Sequence, residues 1–224
     1  MATTSLPLGT KINVSWLHDE LAKRWMVEIR GILGPRQMPG TIQEIRHLNR
    51  LITWDEGGIT WEPDPRHIQL LCKHVGVTGQ VTTPLVKEKV EVLDLVDEVL
   101  DSELTTAYRS NTMRMAYLAQ ERTDLQRATR ELAKGMQAPT KRHYEMLKRA
   151  VRYLLYVPRL RLRWRRNRVL SSINVYNDTD HAGCIRTRKS TTACVVIMGN
   201  CLLMSLCRGQ ALIALSSGEA EYYG

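Results

Sequence analysis

Two acidic stretches, far apart in the chain, hold the residues best suited to chemistry. Val175 to Asp180 runs through Asp178 and Asp180, and Ser216 to Tyr222 reads Ser-Ser-Gly-Glu-Ala-Glu-Tyr. An aspartate at the end of a strand and a glutamate in the first turn of a helix can converge on one cation. Carboxylate oxygens suit Mg²⁺ or Mn²⁺, and two such ions about 3.5 to 4 Å apart stabilise both oxygens of an in-line phosphoryl displacement. Acids in these places are also ordinary turn and cap residues.

The basic residues are just as unevenly placed. The chain has 224 residues and a formal net charge of +9. Eleven cations lie between Lys141 and Arg168: Lys141, Arg142, Lys148, Arg149, Arg152, Arg159, Arg161, Arg163, Arg165, Arg166 and Arg168, against a single acid, Glu145. Between Pro84 and Leu104 the sign reverses, with seven acids facing Lys87 and Lys89. Such a concentrated basic block points to a polyanion partner more strongly than the total charge does, and its other reading is a solvated helix face followed by an exposed edge strand.

The elements that must position these residues follow from periodicity. Trp16 to Arg24 is an amphipathic helix candidate, Trp25 to Leu33 alternates as a strand, and Ile42 to Asp55 resumes strand character. Glu56-Gly57-Gly58 makes a hairpin turn into Ile59 to Glu62, with Trp54 and Trp61 flanking it as a cross-strand pair. Pro65 opens a helix to about Val75, and Lys87 to Leu100 is acidic with helical character. Three helices are expected at Glu103 to Gln120, Asp124 to Met136 and Pro139 to Tyr156. After Pro158 the period becomes two, with Arg159, Arg161, Arg163 and Arg165 on one side and Leu160, Leu162 and Trp164 on the other. Trp164 there either covers the sheet or stacks on a base. Strands follow at Ser172 to Asn177, Thr191 to Met198, Cys201 to Cys207 and Leu212 to Leu215, and a helix begins at Ser216-Ser217. No apolar run approaches the roughly 18 residues that a membrane helix needs. Five cysteines without a CxxC pair or a secretory start read as free thiols, and the expected setting is intracellular, cytoplasmic or nuclear.

The order of YNDTDHAG (Tyr176 to Gly183), RKST (Arg188 to Thr191) and ALSSGEAEY (Ala214 to Tyr222) resembles the ribonuclease H region of copia-type retrotransposon Pol polyproteins. Upstream, Tyr108-Arg109-Ser110, Met115 to Ala119, Arg122 to Leu125 and Lys148 to Leu154 are similar to the helical run that precedes it in that family. Thr83-Pro84-Leu85 resembles a further family signal, and the stretch before residue 80 looks more loosely like the end of a reverse transcriptase. The resemblance implies an α/β chain in three parts: a small mixed strand/helix tail of reverse transcriptase over 1–80, an acidic linker and three-helix connector over 81–157, and a truncated ribonuclease H-like sheet over 158–224.

By position, the resemblance makes Asp178 and Glu219 the catalytic, metal-ligating carboxylates for Mg²⁺ or Mn²⁺, with Asp180 and Glu221 as neighbours. The family's third carboxylate lies beyond the helix that starts at Ser216, and no adjacent Asp pair of a polymerase is present, so an incomplete, inactive hydrolase of RNA in RNA–DNA hybrids is expected. His181 and the Cys207 to Gln210 turn depart from the family pattern. The expected nucleic-acid contacts are Lys148, Arg149, Arg152, Arg159, Arg161, Arg163, Arg165, Arg166, Arg168, Arg188 and Lys189, holding backbone phosphates without reading sequence. Two other readings stay open. One is a purely nucleic-acid-binding remnant. The other is a structural or decayed product in which the arginine strand meets an acidic segment such as 84–104.

Overall fold

The computed structural model describes residues 11–86, 97–166, 172–199 and 201–224. Within them the chain is mixed α/β, with six α-helices and two antiparallel sheets. After helix α1 (Lys11–Ala22), three strands form a meander: β1 (Glu44–His47), β2 (Arg50–Asp55) and β3 (Gly58–Pro63). The expected strand at Trp25 to Leu33 does not form. Only Leu33 bridges to Ile42, while Met26 and Ile29 stand exposed, so its alternation finds no sheet to join. The single strand expected from Ile42 to Asp55 is instead folded in two at Leu48-Asn49, whose positive φ angles of 49° and 57° make a tight hairpin turn.

Helix α2 (Arg66–Val75) ends at Gly76, which takes the left-handed conformation and donates its N–H to the Cys72 carbonyl. Helices α3 (Ser102–Leu118), α4 (Gln126–Lys134, preceded by a short 3₁₀ turn at Thr123–Leu125) and α5 (Lys141–Tyr156) fall where the apolar spacing places them. Asp101 caps α3, and Thr140 with His143 forms a reciprocal cap on α5. Leu71 of α2, Tyr108, Met115 and Leu118 of α3, Leu132 of α4, and Leu147, Val151 and Leu154 of α5 share one apolar core. Arg50 joins the first sheet to that core, pairing with Glu121 while its guanidinium lies over Trp61 and Tyr117.

Strand β4 (Leu162–Arg165) departs most from expectation. It pairs with β3 at the edge of the first sheet, in the order β1-β2-β3-β4, rather than with the strands that follow it. Its backbone passes so near Gly58 that a Cβ there would sit 2.0 Å from the Trp164 carbonyl oxygen, which explains the glycine. Trp164 stacks on Trp61 at 5.8 Å, so the tryptophan packs within the sheet, and Trp61 takes it as partner instead of Trp54. The second sheet holds β5 (Ile173–Asp180), β6 (Thr191–Met198) and β7 (Cys201–Gly209) in that order, followed by helix α6 (Ser217–Tyr222). Leu212 to Leu215 is a loop rather than a strand, with only Ala214 turned inward. The Lys87 to Val96 part of the expected acidic helix lies outside the described residues.

Arg122 is fully buried. Its Nε and Nη2 donate to Asp124 at 2.9 and 2.7 Å, Nη2 also donates to the Val157 carbonyl at 3.0 Å, and the Tyr153 hydroxyl donates to Asp124 at 2.7 Å. Burial alone would raise the Asp124 pKa, but the hydrogen bonds from Arg122 and Tyr153 and the Arg122 charge outweigh it and hold the carboxyl below its ordinary value. A depressed folded-state pKa contributes stability above the unfolded value of about 3.9 and loses it as pH falls through the folded value. Denaturant melts should therefore show stability falling below about pH 4, and Asp124→Asn should flatten that fall. Arg122→Ala, which leaves a half-buried carboxylate without its partner, should cost about 3 kcal/mol in the same melts.

Candidate carboxylate pair and basic surface

Helix α6 starts where Ser216 accepts the Glu219 N–H at 3.1 Å. The Glu219 carboxylate accepts in return from the Leu215 N–H at 2.7 Å and the Tyr223 hydroxyl at 3.0 Å, so both its oxygens serve its own helix. Hydrogen bonding to that carboxylate pushes the Tyr223 phenol pKa up. Farther along the helix, Glu221 accepts the backbone N–H of Thr179 at 3.3 Å. A buried polar chain holds this packing in place. Gln210 Nε2 donates to the Ala220 carbonyl at 2.7 Å and to the Thr192 hydroxyl at 3.1 Å, and Thr192 meets Thr179 at 3.5 Å.

Asp178 is exposed within the β5 ladder, opposite Ala193, because the strand runs on to Asp180 instead of closing at Asp178. Strand alternation sends its side chain to the face shared by Asp180, away from the Thr179 face that α6 covers. Asp180 accepts the Thr191 N–H and lies 3.7 Å from Arg127, a structural placement. It is thus Glu221 that reaches the backbone beside Asp178, while Glu219 is spent on capping. The signal was present in sequence: a serine followed three positions later by glutamate is a capping pair, which leaves the next acid for other work. Among the described residues no three His, Cys, Asp or Glu side chains gather as a metal site would need.

Most of the arginine strand is internally neutralised. Arg159 forms a two-pronged pair with Glu62, its Nε at 3.0 Å, and Arg161 Nε lies 3.5 Å from the same carboxylate. Glu62 is buried, and Arg163 pairs with Asp55 at 2.6 Å. Among the described residues the acidic partners of this strand are in β2 and β3, while Asp97 and Glu98 of the 84–104 segment meet Arg142 and Lys141 at 3.8 and 2.6 Å. Arg165, Arg166 and Arg188 are exposed and Lys189 is half-buried, the last two in the turn between β5 and β6, and none of the four has an ion pair among the described residues. Arg168 lies outside the described residues. On α5, Lys148 pairs with Glu145 at 2.7 Å, Arg149 donates to the Thr83 hydroxyl at 2.8 Å, and Arg152 is half-buried beside Gly79.

The chain's sequence is similar to one class of protein, the Pol polyproteins of retrotransposons. Two of its homologues are copia-type members of that class. It is 31% identical over 156 residues to the retrovirus-related Pol polyprotein from transposon RE1 of Arabidopsis thaliana, a match covering 69% of this chain and 10% of that protein. To the corresponding polyprotein from transposon RE2 of the same plant it is 34% identical over 117 residues, 52% of this chain and 8% of that one. It is also 30% identical over 130 residues to the uncharacterized mitochondrial protein AtMg00810 of Arabidopsis thaliana, 55% of this chain and 54% of the other. The chain thus spans about a tenth of the polyproteins it matches and about half of the mitochondrial protein. No family model matches the chain. No solved structure matches it. No helix among the described residues is long and apolar enough to cross a membrane.

Two consequences can be measured. Glu219→Ala removes both capping bonds and should lower stability by about 1 kcal/mol in thermal melts, whereas Glu221→Ala should change it less. Glu62→Gln releases guanidinium charge, so it should tighten binding to single-stranded DNA and steepen the slope of log K against log salt by about one unit in anisotropy titrations.

Proposed function

We propose that this chain is a segment of a copia-type Pol polyprotein that runs from the tail of the reverse transcriptase into the start of the ribonuclease H part. In this reading it binds nucleic-acid phosphates and carries part of a site for metal-dependent hydrolysis of RNA in RNA–DNA hybrids. The observation that carries the reading is the packing of α6 on β5, which sets the Glu221 carboxylate against the backbone one residue from Asp178. An antiparallel three-stranded sheet followed by a helix over its first strand supports a ribonuclease H-like start.

Mg²⁺ or Mn²⁺ in such a site would polarise a phosphoryl oxygen and activate water. The donor set of this chain does not fit a pair of such ions. Glu221 reaches only the Thr179 backbone N–H while the Asp178 side chain lies on the other face of β5, Glu219 is committed to its helix, and no three acids gather among the described residues. No hydrolytic step is therefore assigned to the chain. Its part is to hold phosphates, through Arg165, Arg166, Arg188 and Lys189, whose charges are not spent internally. Contacts of that kind neutralise backbone charge without reading bases, so binding should weaken steeply with salt.

The decisive assay incubates the chain with a labelled RNA–DNA hybrid and Mg²⁺ or Mn²⁺. No cleavage above the Asp178→Asn background is expected, while the same hybrid is bound at low salt and released at moderate salt. Robust cleavage that disappears in Asp178→Asn overturns the assignment of an incomplete site.

A further inference from the structure

On the side of α5 away from the apolar core, Lys148, Arg149 and Arg152 form one wall of an open pocket of about 240 Å³, and Gly76, Val77 and Thr78 form the other. The pocket exists because α2 stops at Gly76 and the following loop is tied back to α5. Gln80 donates to the Leu155 carbonyl at 3.1 Å, and Arg149 Nη2 donates to the Thr83 hydroxyl at 2.8 Å. Two donors inside this arrangement have no partner: the Nε groups of Arg149 and Arg152 are buried and make no hydrogen bond. A buried, unsatisfied donor is costly, and more so on a charged group. Glu145, the only acid lining the pocket among the described residues, is largely exposed at its rim and engaged with Lys148 at 2.7 Å, and no described acid pairs with Arg149 or Arg152.

We propose that this pocket binds a phosphate group, with Arg149 and Arg152 as the recognising cations and Lys148 closing the rim. Two guanidiniums suit a doubly charged tetrahedral oxyanion, because each planar fork can donate to its oxygens, whereas one carboxylate would leave a positive charge unpaired. The inference deepens the phosphate-binding reading above and rests on it only for the source of the phosphate, which is either free or part of a nucleic-acid backbone.

The test titrates the full chain with inorganic phosphate by calorimetry. A labelled DNA oligonucleotide lacking terminal phosphates is titrated in parallel by anisotropy, with phosphate as competitor. Wild-type chain should bind phosphate, and Arg149→Gln and Arg152→Gln should each weaken it about tenfold. An Arg36→Gln variant, at an exposed cation outside the pocket, should leave phosphate binding unchanged, and an Arg165→Gln, Arg166→Gln double variant reports on the broader surface. Arg149 also anchors the 76–83 loop, so Arg152→Gln is the decisive variant: unchanged phosphate affinity in it, or no phosphate binding by the wild type, overturns the proposal. Competition by phosphate assigns the pocket to backbone phosphates. Phosphate binding without competition supports the pocket for a free phosphate. Loss of DNA binding in the Arg165/Arg166 double variant alone belongs to the broader reading and leaves the pocket standing.

Discussion

A guanidinium with no access to water is the constraint around which the chain is arranged. Arg122 must find its counter-charge inside the fold, and it does so in Asp124, two residues away, with the Val157 carbonyl taking a further bond and Tyr153 bonding the same carboxylate. Because those partners come from the turn before α4 and from the end of α5, satisfying one buried charge fixes how α4 leaves α5. Helix α4 in turn carries Gln126 to Ser205 on β7 and Arg130 to Thr191 on β6, so the second sheet is set by the same charge at one remove. Leaving such a charge unpaired is far costlier than the pair itself is stabilising, so the network acts as a constraint on geometry more than as a source of stability.

Electrostatics also decide how much of the basic block remains available. Read as sequence, the arginines from 159 to 168 look like an open polyanion surface. In the fold, the strand they form needs an edge to pair with, and β3 offers one carrying the buried acid Glu62. Once Arg159 and Arg161 close on Glu62 and Arg163 on Asp55, those side chains hold the sheet together. The cations left for a ligand lie at the strand's end, in the β5–β6 turn and on the outer side of α5. That is a smaller and more scattered set than the charge count suggests.

Helices were legible because their signals are local: apolar spacing, Pro65 before α2, and the capping residues Asp101 and Thr140. Two failures have a common cause. The alternation of Trp25 to Leu33 is that of a strand, and the alternation of Arg159 to Trp164 is equally clear. Yet whether an alternating segment becomes a strand, and in which sheet, depends on an edge supplied by residues far away. The first found none and the second found β3, a hundred residues upstream. The Leu48-Asn49 turn was hidden for another reason: a leucine at positive φ carries none of the glycine or asparagine-glycine signal that usually marks a hairpin. The match to copia-type polyproteins was visible because it rests on ordered short motifs, which do not depend on knowing the sheet order.

The choice between the two glutamates of α6 turns on what a carboxylate gives up to meet a cation. Glu219 would have to release the Leu215 N–H and the Tyr223 hydroxyl, each bond worth about 1 kcal/mol, and it would uncap its own helix in doing so. Glu221 holds a single longer bond, to the Thr179 N–H, on the face of β5 opposite the Asp178 side chain. Position within a motif favours the first glutamate; the hydrogen bonds favour the second. The hydrogen bonds carry more weight, because a side chain already committed to both ends of its helix is a poor ligand wherever the motif places it.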